Sequence, residues 1–174
     1  MTALVARFVV AGLQRHPLLN SSFDAANDEI VVHGGVNLGI AAQTPRGLLV
    51  PVVHGAGRMT LRDLRDAIAA RSEEAASGAF PPSALSGGTF TLNNYGTLGV
   101  DGSAAIINHP EAAMLGIGRL VQRPWVVDGQ LAVRTVTELT LSFDHRVCDG
   151  AEAAAFLTFV ARCVERPVSL LAEL

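Results

Sequence analysis

The chain predicts an α+β fold, a mixed β-sheet with helices packed on one face. Apolar residues recur at helical spacing in three separate stretches, near the start, in the middle and at the end. Between those stretches lie short runs of β-branched and aromatic residues, punctuated by Gly, Pro and Asp-Gly. The order is therefore helix, strands, helix, strands, helix, within one domain and with no internal repeat or linker.

In the first helix Leu4, Val5, Phe8, Val9 and Leu13 share a face. Gln14-Arg15-His16 close it and Pro17 stops it. Ile30-Val31-Val32 and the run from Val36 to Ala42 read as strands separated by Gly34-Gly35. Pro45-Arg46-Gly47 is a turn into a buried strand, Leu48 to Val53, in which Pro51 demands an edge or a bulge. Thr60 and Asp63 form a capping box for a helix from Leu61 to Ala76. That helix has Leu61, Leu64 and Ile68 on one face, Arg62, Asp66 and Glu73 on the other, and Gly78 at its end. Pro81-Pro82 and Gly87-Gly88 bracket a connector. Thr89 to Leu92 alternates as a strand and gives way to a glycine-rich loop, Asn93 to Gly96 and Gly99 to Gly102. Ala112 to Ile117 and Leu120 to Val127 are strands, and Asp128-Gly129 turns the second into a hairpin partner from Leu131. A strand from Glu138 to Phe143 and a helix from Ala151 to Val164 complete the order.

The 174 residues suffice for one sizeable core. A net charge of −3 gives no electrostatic reason to expect nucleic acid or an anionic membrane. Hydrophobic residues make up 49 % and charged residues 17 %, and mean hydropathy is +0.36. No run of roughly 18 apolar residues offers a membrane span, so the excess is read as surface buried against partners. Two cysteines, Cys148 and Cys163, are too few for a disulfide framework and show no metal-ligand spacing. A reducing, cytoplasmic compartment is expected, or the mitochondrial matrix in a eukaryote.

Chemistry concentrates in Asp144-His145-Arg146-Val147-Cys148-Asp149-Gly150, where a strand turns at once into a helix. His145 stands at the rim of the sheet, and imidazole is the side chain best suited to moving protons near neutral pH. As a general base it needs one nitrogen free and the other fixed by an acceptor. Asp149, with Glu152 three residues on, reads as a helix cap, a role compatible with supporting the His145 turn. Cys148 reads as a small buried cysteine, with a Cys–His nucleophile the rarer alternative. Asn93 and Asn94 read equally as turn residues or as amide donors to a developing oxyanion. No dinucleotide or triphosphate-loop fingerprint is present. His16, His33, His54 and His109 are scattered, and no metal site is expected.

Several blocks together resemble the catalytic domain of the 2-oxoacid dehydrogenase acyltransferases, the E2 components. They are His16-Pro17 with Asn20, Val36 to Ala41, Thr44 to Val52, Gly87 to Asn94, Ile107 to Ala112, and Asp144 to Gly150. The similarity runs along nearly the whole chain, residues 1–174. It implies the chloramphenicol acetyltransferase fold, a homotrimer with active sites at subunit interfaces, and further assembly into a cubic or dodecahedral core. In that core Leu170 to Leu174 could help join trimers. It implies coenzyme A and dihydrolipoamide as substrates, with the lipoyl group on a separate domain, and E1 and E3 as partners through domains not in this chain. His145 would be the general base, Asp149 would hold its turn, and Asn93 would bind the oxyanion across the subunit interface, where many relatives carry Ser or Thr. The Thr91-Leu92-Asn93-Asn94 pattern resembles branched-chain members more than acetyl or succinyl ones. Family catalytic domains begin some tens of residues earlier, so the domain is expected to be N-terminally incomplete. Two rival readings are a non-catalytic E2-like scaffold and an acetyltransferase acting on a small hydroxyl acceptor.

Overall fold

A computed structural model of the chain describes residues 1–44, 47–78 and 81–168. The expected turn at Pro45-Arg46 and the Leu170 to Leu174 segment lie outside the described residues. Helix α1 spans Thr2–Arg15 and ends at His16, before Pro17. Strand β1 (Ser21–Asp24) pairs antiparallel with β2 (Glu29–Val32) across a turn in which the Asp24 carboxylate accepts the Ala26 and Asn27 N–H groups at 2.9 and 3.3 Å. The sequence shows no strand pattern at Ser21 to Asp24.

Strand β3 is Leu38–Thr44. The single strand expected from Leu48 to Val53 is two pieces, β4 (Gly47–Leu49) and β5 (Val52–Val53), both paired with β3. The break falls at Val50-Pro51, because proline has no N–H for the ladder. Its carbonyl still accepts the Ile40 N–H at 2.9 Å. Helix α2 runs Leu61–Ser77, with both halves of the expected capping box at Thr60 and Asp63.

Strand β6 is Phe90–Asn94, β7 is Ala113–Ile117, β8 is Val121–Val127, β9 is Gln130–Val136 and β10 is Leu139–Phe143. Helix α3 is Gly150–Glu165. The main sheet has six strands, ordered β10-β7-β6-β3-β4, with β5 also on β3. β6 runs parallel to both β3 and β7, and the remaining pairs are antiparallel, so the sheet is mixed as expected.

Alternation along the strands gives the sheet two unlike faces. Leu38, Ile40, Phe90, Leu92, Leu115 and Ile117 form one core with Phe8 and Val9 of α1, Leu64 of α2, and Phe156 and Val160 of α3. Burying each such side chain contributes about 1.5–3 kcal/mol. The rings of Phe90 and Phe156 lie 5.7 Å apart, joining sheet to helix at the centre of the core. The opposite face carries small and polar positions: Gly39 and Ala41 of β3, Thr91 and Asn93 of β6, Gly116 of β7 and Thr140 of β10.

The β8–β9 hairpin forms as the sequence predicts, with Asp128 and Gly129 both at positive φ, 51° and 76°. Among the described residues no further strand pairs with it, so it stands apart from the main sheet. Val126 faces Leu131 and Pro124 faces Val133 across it, an apolar surface in which Val126, Leu131 and Val133 are 67–77 % exposed.

Candidate active site

β10 ends at Phe143, two residues short of His145, so the histidine lies in the turn rather than on the strand. That turn is held from both sides. At its start the Asp144 N–H donates to the Ala112 carbonyl at 2.8 Å, and the Val147 N–H closes back on the Asp144 carbonyl at 3.0 Å. The Arg146 guanidinium forks onto the Asp144 carboxylate, with Nη2 to Oδ2 at 2.6 Å and Nε to Oδ1 at 3.0 Å. The same guanidinium lies 4.3 Å over the Phe23 ring of β1. The bonded Arg146 holds the Asp144 carboxyl below the usual carboxylate range.

At the other end Asp149 is the N-cap of α3, accepting the Ala151 and Glu152 N–H groups at 2.9 and 3.1 Å. The expected reciprocal half of the box is replaced by another contact. Glu152 turns to α1 and meets His16 Nδ1 at 3.2 Å. The His16 ring also packs edge-on to Phe156, 6.1 Å between centroids. The His16-Pro17 corner and the start of α3 are thereby clipped together.

Between these two anchors His145 is exposed, with its ring 5.6 Å from that of Phe143. Among the described residues its imidazole has no hydrogen-bond partner, so the acceptor that would fix one nitrogen is not supplied by this part of the chain. Cys148, next to Asp149, is buried, and burial together with Glu152, Asp149 and Asp144 pushes its thiol up. That environment opposes a thiolate, so the Cys–His nucleophile is set aside.

Asn93 and Asn94 continue β6 instead of starting a loop, since each pairs in register with β7. Alternation separates them. Asn94 points to the helices and donates to Thr2 Oγ1 at 3.0 Å. Asn93 points to the opposite face, half-buried, with no hydrogen-bond partner for its amide among the described residues. Asn93, Gly116 and Thr140 share one row across the sheet, whereas Phe143 lies three residues further along β10. Two strand spacings across and three residues along put Asn93 and Phe143 about 14 Å apart. Within one chain Asp149 and His145 therefore share one turn, and Asn93 stands apart from it.

Two features escaped the sequence reading. Glu111, 3 % exposed, accepts from Thr91 Oγ1 at 2.5 Å and from Asn108 Nδ2 at 3.1 Å, and burial raises its carboxyl above the ordinary range. A carboxylate directly before the apolar run Ala112 to Leu115 was the available signal. His33 and His54, read as scattered, line one cavity of about 570 Å³ with Arg58 and Asn37. Among the described residues no group of three or more His, Cys, Asp or Glu could hold a metal ion.

Residues 1–172 match the family described as 2-oxoacid dehydrogenases acyltransferase (catalytic domain). The chain belongs to this family. It is 41 % identical over 169 residues to the lipoamide acyltransferase component of a branched-chain alpha-keto acid dehydrogenase complex from Pseudomonas aeruginosa, covering 97 % of this chain and 40 % of that protein. It is 38 % identical to the dihydrolipoyllysine-residue acetyltransferase component of a Bacillus subtilis pyruvate dehydrogenase complex, covering 97 % and 38 %. The chain thus spans about two fifths of the length of these curated relatives. Among solved structures, an Azotobacter vinelandii dihydrolipoamide acetyltransferase superposes with a TM-score of 0.90 at 32 % identity, covering 98 % of this chain and 71 % of the other. The catalytic mechanism of that enzyme has been investigated at a serine, a histidine and an asparagine, spaced 52 and four positions apart. Asn93, His145 and Asp149 have the same spacing in this acyltransferase-family domain. A chloramphenicol acetyltransferase shares the fold at 11 % identity, with a TM-score of 0.52 over 91 % of this chain and 74 % of its own. The expected fold class is the one found.

Proposed function

We propose that this domain transfers an acyl group between the thiol of dihydrolipoamide and coenzyme A, with His145 as general base. The observation that carries the reading is the free imidazole of His145 on a turn clamped by the Asp144–Arg146 fork and the Asp149 cap. His145 takes the proton from the coenzyme A thiol. The thiolate attacks the thioester carbonyl of S-acyl-dihydrolipoamide, forming a carbon–sulfur bond and a tetrahedral oxyanion. Collapse breaks the bond to the lipoyl sulfur, which takes the proton back from His145. The substrates supply every sulfur, so Cys148 has no role in the chemistry.

The oxyanion needs a donor aimed where charge develops. Asn93 offers its amide NH₂ in place of the serine hydroxyl found at the same spacing in the Azotobacter enzyme. Asn93 and His145 of one copy are too far apart to act on one carbonyl, so each site joins His145 of one subunit to Asn93 of its neighbour. An inter-subunit site fits the homotrimer that the family resemblance implies, and assembly into a larger core with E1 and E3 as partners is supported by similar proteins named as components or cubic cores of such complexes. The apolar face of the β8–β9 hairpin is surface of the kind such contacts bury. The acyl chain is read as branched, on the Thr91 to Asn94 pattern, although relatives named for branched-chain and for pyruvate complexes both match.

The test is acyl transfer from acetyl-, succinyl- and isobutyryl-CoA to dihydrolipoamide by the assembled protein, beside His145→Ala. Turnover with a preferred donor that collapses about 10²- to 10⁴-fold in the variant supports the reading and names the acyl chain. An assembled oligomer without turnover on any donor would make it a scaffold.

A further inference from the structure

Asn93 has a longer arm than the serine whose place it takes, and the extra torsion is a problem for a donor. Oxyanion stabilisation depends on donors already oriented before charge appears, and a free side-chain torsion works against that. No hydrogen bond within the described residues holds the Asn93 amide. Among the described residues of one copy, its neighbours on the sheet face are the groups placed to fix it.

Those neighbours form a row across the sheet, Ala41, Asn93, Gly116 and Thr140. Ala41 offers a methyl group on one flank. Gly116 offers nothing of its own on the other, about 4.8 Å away. That gap is filled by Tyr95, two residues beyond Asn93. Its ring crosses over Gly116, and its hydroxyl bonds Thr140 Oγ1 at 2.7 Å. A Cβ on residue 116 would collide with the ring and would lie 2.8 Å from its hydroxyl and 2.6 Å from Thr140 Oγ1. Tyr95 is 6 % exposed, so ring and hydroxyl are held within the fold.

We propose that Tyr95 is a positioning residue for Asn93: tied to Thr140 across Gly116, its ring is the wall that orients the Asn93 amide. The inference rests on the reading of Asn93 as the oxyanion donor. It explains how an asparagine can serve where a shorter hydroxyl needs no such wall.

The experiment measures kcat and KM in the acyl-transfer assay for Tyr95→Phe, Thr140→Val and the double variant. Each is repeated in the Asn93→Ser and Asn93→Ala backgrounds. Tyr95→Phe keeps the ring and Thr140→Val keeps the shape, so folding is preserved, and thermal unfolding monitors it. Loss of one oriented hydrogen bond lowers kcat about five- to tenfold in either single variant. KM stays within about twofold, because the donor acts in the transition state. The double variant is no worse than the singles, since both remove the same bond. With serine or alanine at position 93 the Tyr95→Phe effect disappears. An unchanged kcat in Tyr95→Phe overturns the proposal, as does an equal loss in the Asn93→Ala background. If Asn93→Ala itself matches the parent, the oxyanion reading fails and this inference fails with it. A parent that turns over no donor overturns the function first.

Discussion

Asp149 touches no reacting atom in the proposed chemistry, yet the geometry makes it the residue on which the His145 turn depends. Replacing it with alanine removes the acceptor for two N–H groups at the start of α3, now held at 2.9 and 3.1 Å. Loss of an N-cap of this kind costs about 1–2 kcal/mol. For a domain of 174 residues that lowers Tm by about 2–8 °C. The catalytic cost is larger than the stability cost, since His145 sits four residues before the cap on a turn whose far end is then loose. A displacement of about 1 Å at a reacting group is worth about 10²-fold. Asp149→Asn separates cap from charge. Asparagine ranks with aspartate at an N-cap, and loss of the carboxylate at a helix N-terminus costs only about 0.3–1 kcal/mol. Differential scanning calorimetry and acyl-transfer kinetics on the alanine and asparagine variants make the test. The alanine variant is expected to lose both Tm and kcat, and the asparagine variant to keep most of each. An asparagine variant with parental Tm but the activity of the alanine variant would refute the argument, because the charge and not the cap would then be what His145 requires.

Three further outcomes follow from the same structure. Glu111 has its carboxyl raised by burial, so its contribution to stability is fully present below the unfolded pKa and is lost as pH rises through the folded one; Glu111→Gln keeps the shape and removes that loss, and its Tm should rise relative to the parent as pH rises above the ordinary carboxylate range, at equal protein concentration. Cys148→Ala should leave kcat within about twofold while costing some stability as a small buried side chain shortens, and a collapse of kcat without unfolding would restore the thiol to the mechanism. Leu131→Glu on the exposed face of the β8–β9 hairpin should shift the protein to smaller species in sedimentation velocity, whereas an unchanged assembly would place that face in solvent.

The three helices were legible because their signals are local. Apolar spacing sets the buried stripe, Thr60 and Asp149 set starts, and Pro17 and Gly78 set stops. The Asp128-Gly129 hairpin was legible for the same reason. What the sequence hid is what distant pairing decides. Ser21 to Asp24 is a strand only because β2 lies beside it and Ser21 accepts the Ala112 N–H. Asn93 and Asn94 look like the start of a loop, yet β7 pairs with both and β3 pairs with Asn93, extending the ladder through them. The motif around His145 identified the candidate base and its cap, which are four residues apart. The distance to Asn93 depends on register across three strands, and no local pattern encodes it. Tyr95 and Gly116 were invisible as a pair for the same reason.

The separation of His145 and Asn93 at opposite ends of one sheet has a genetic consequence. Two variants that are each inactive, His145→Ala and Asn93→Ala, carry complementary halves of the proposed site. Unfolded together and reassembled as mixed rings, some subunits bearing a normal histidine would sit beside neighbours bearing a normal asparagine. With random mixing in a closed ring, roughly a quarter of the junctions would be intact. Activity would then arise from two dead proteins, and only upon mixing.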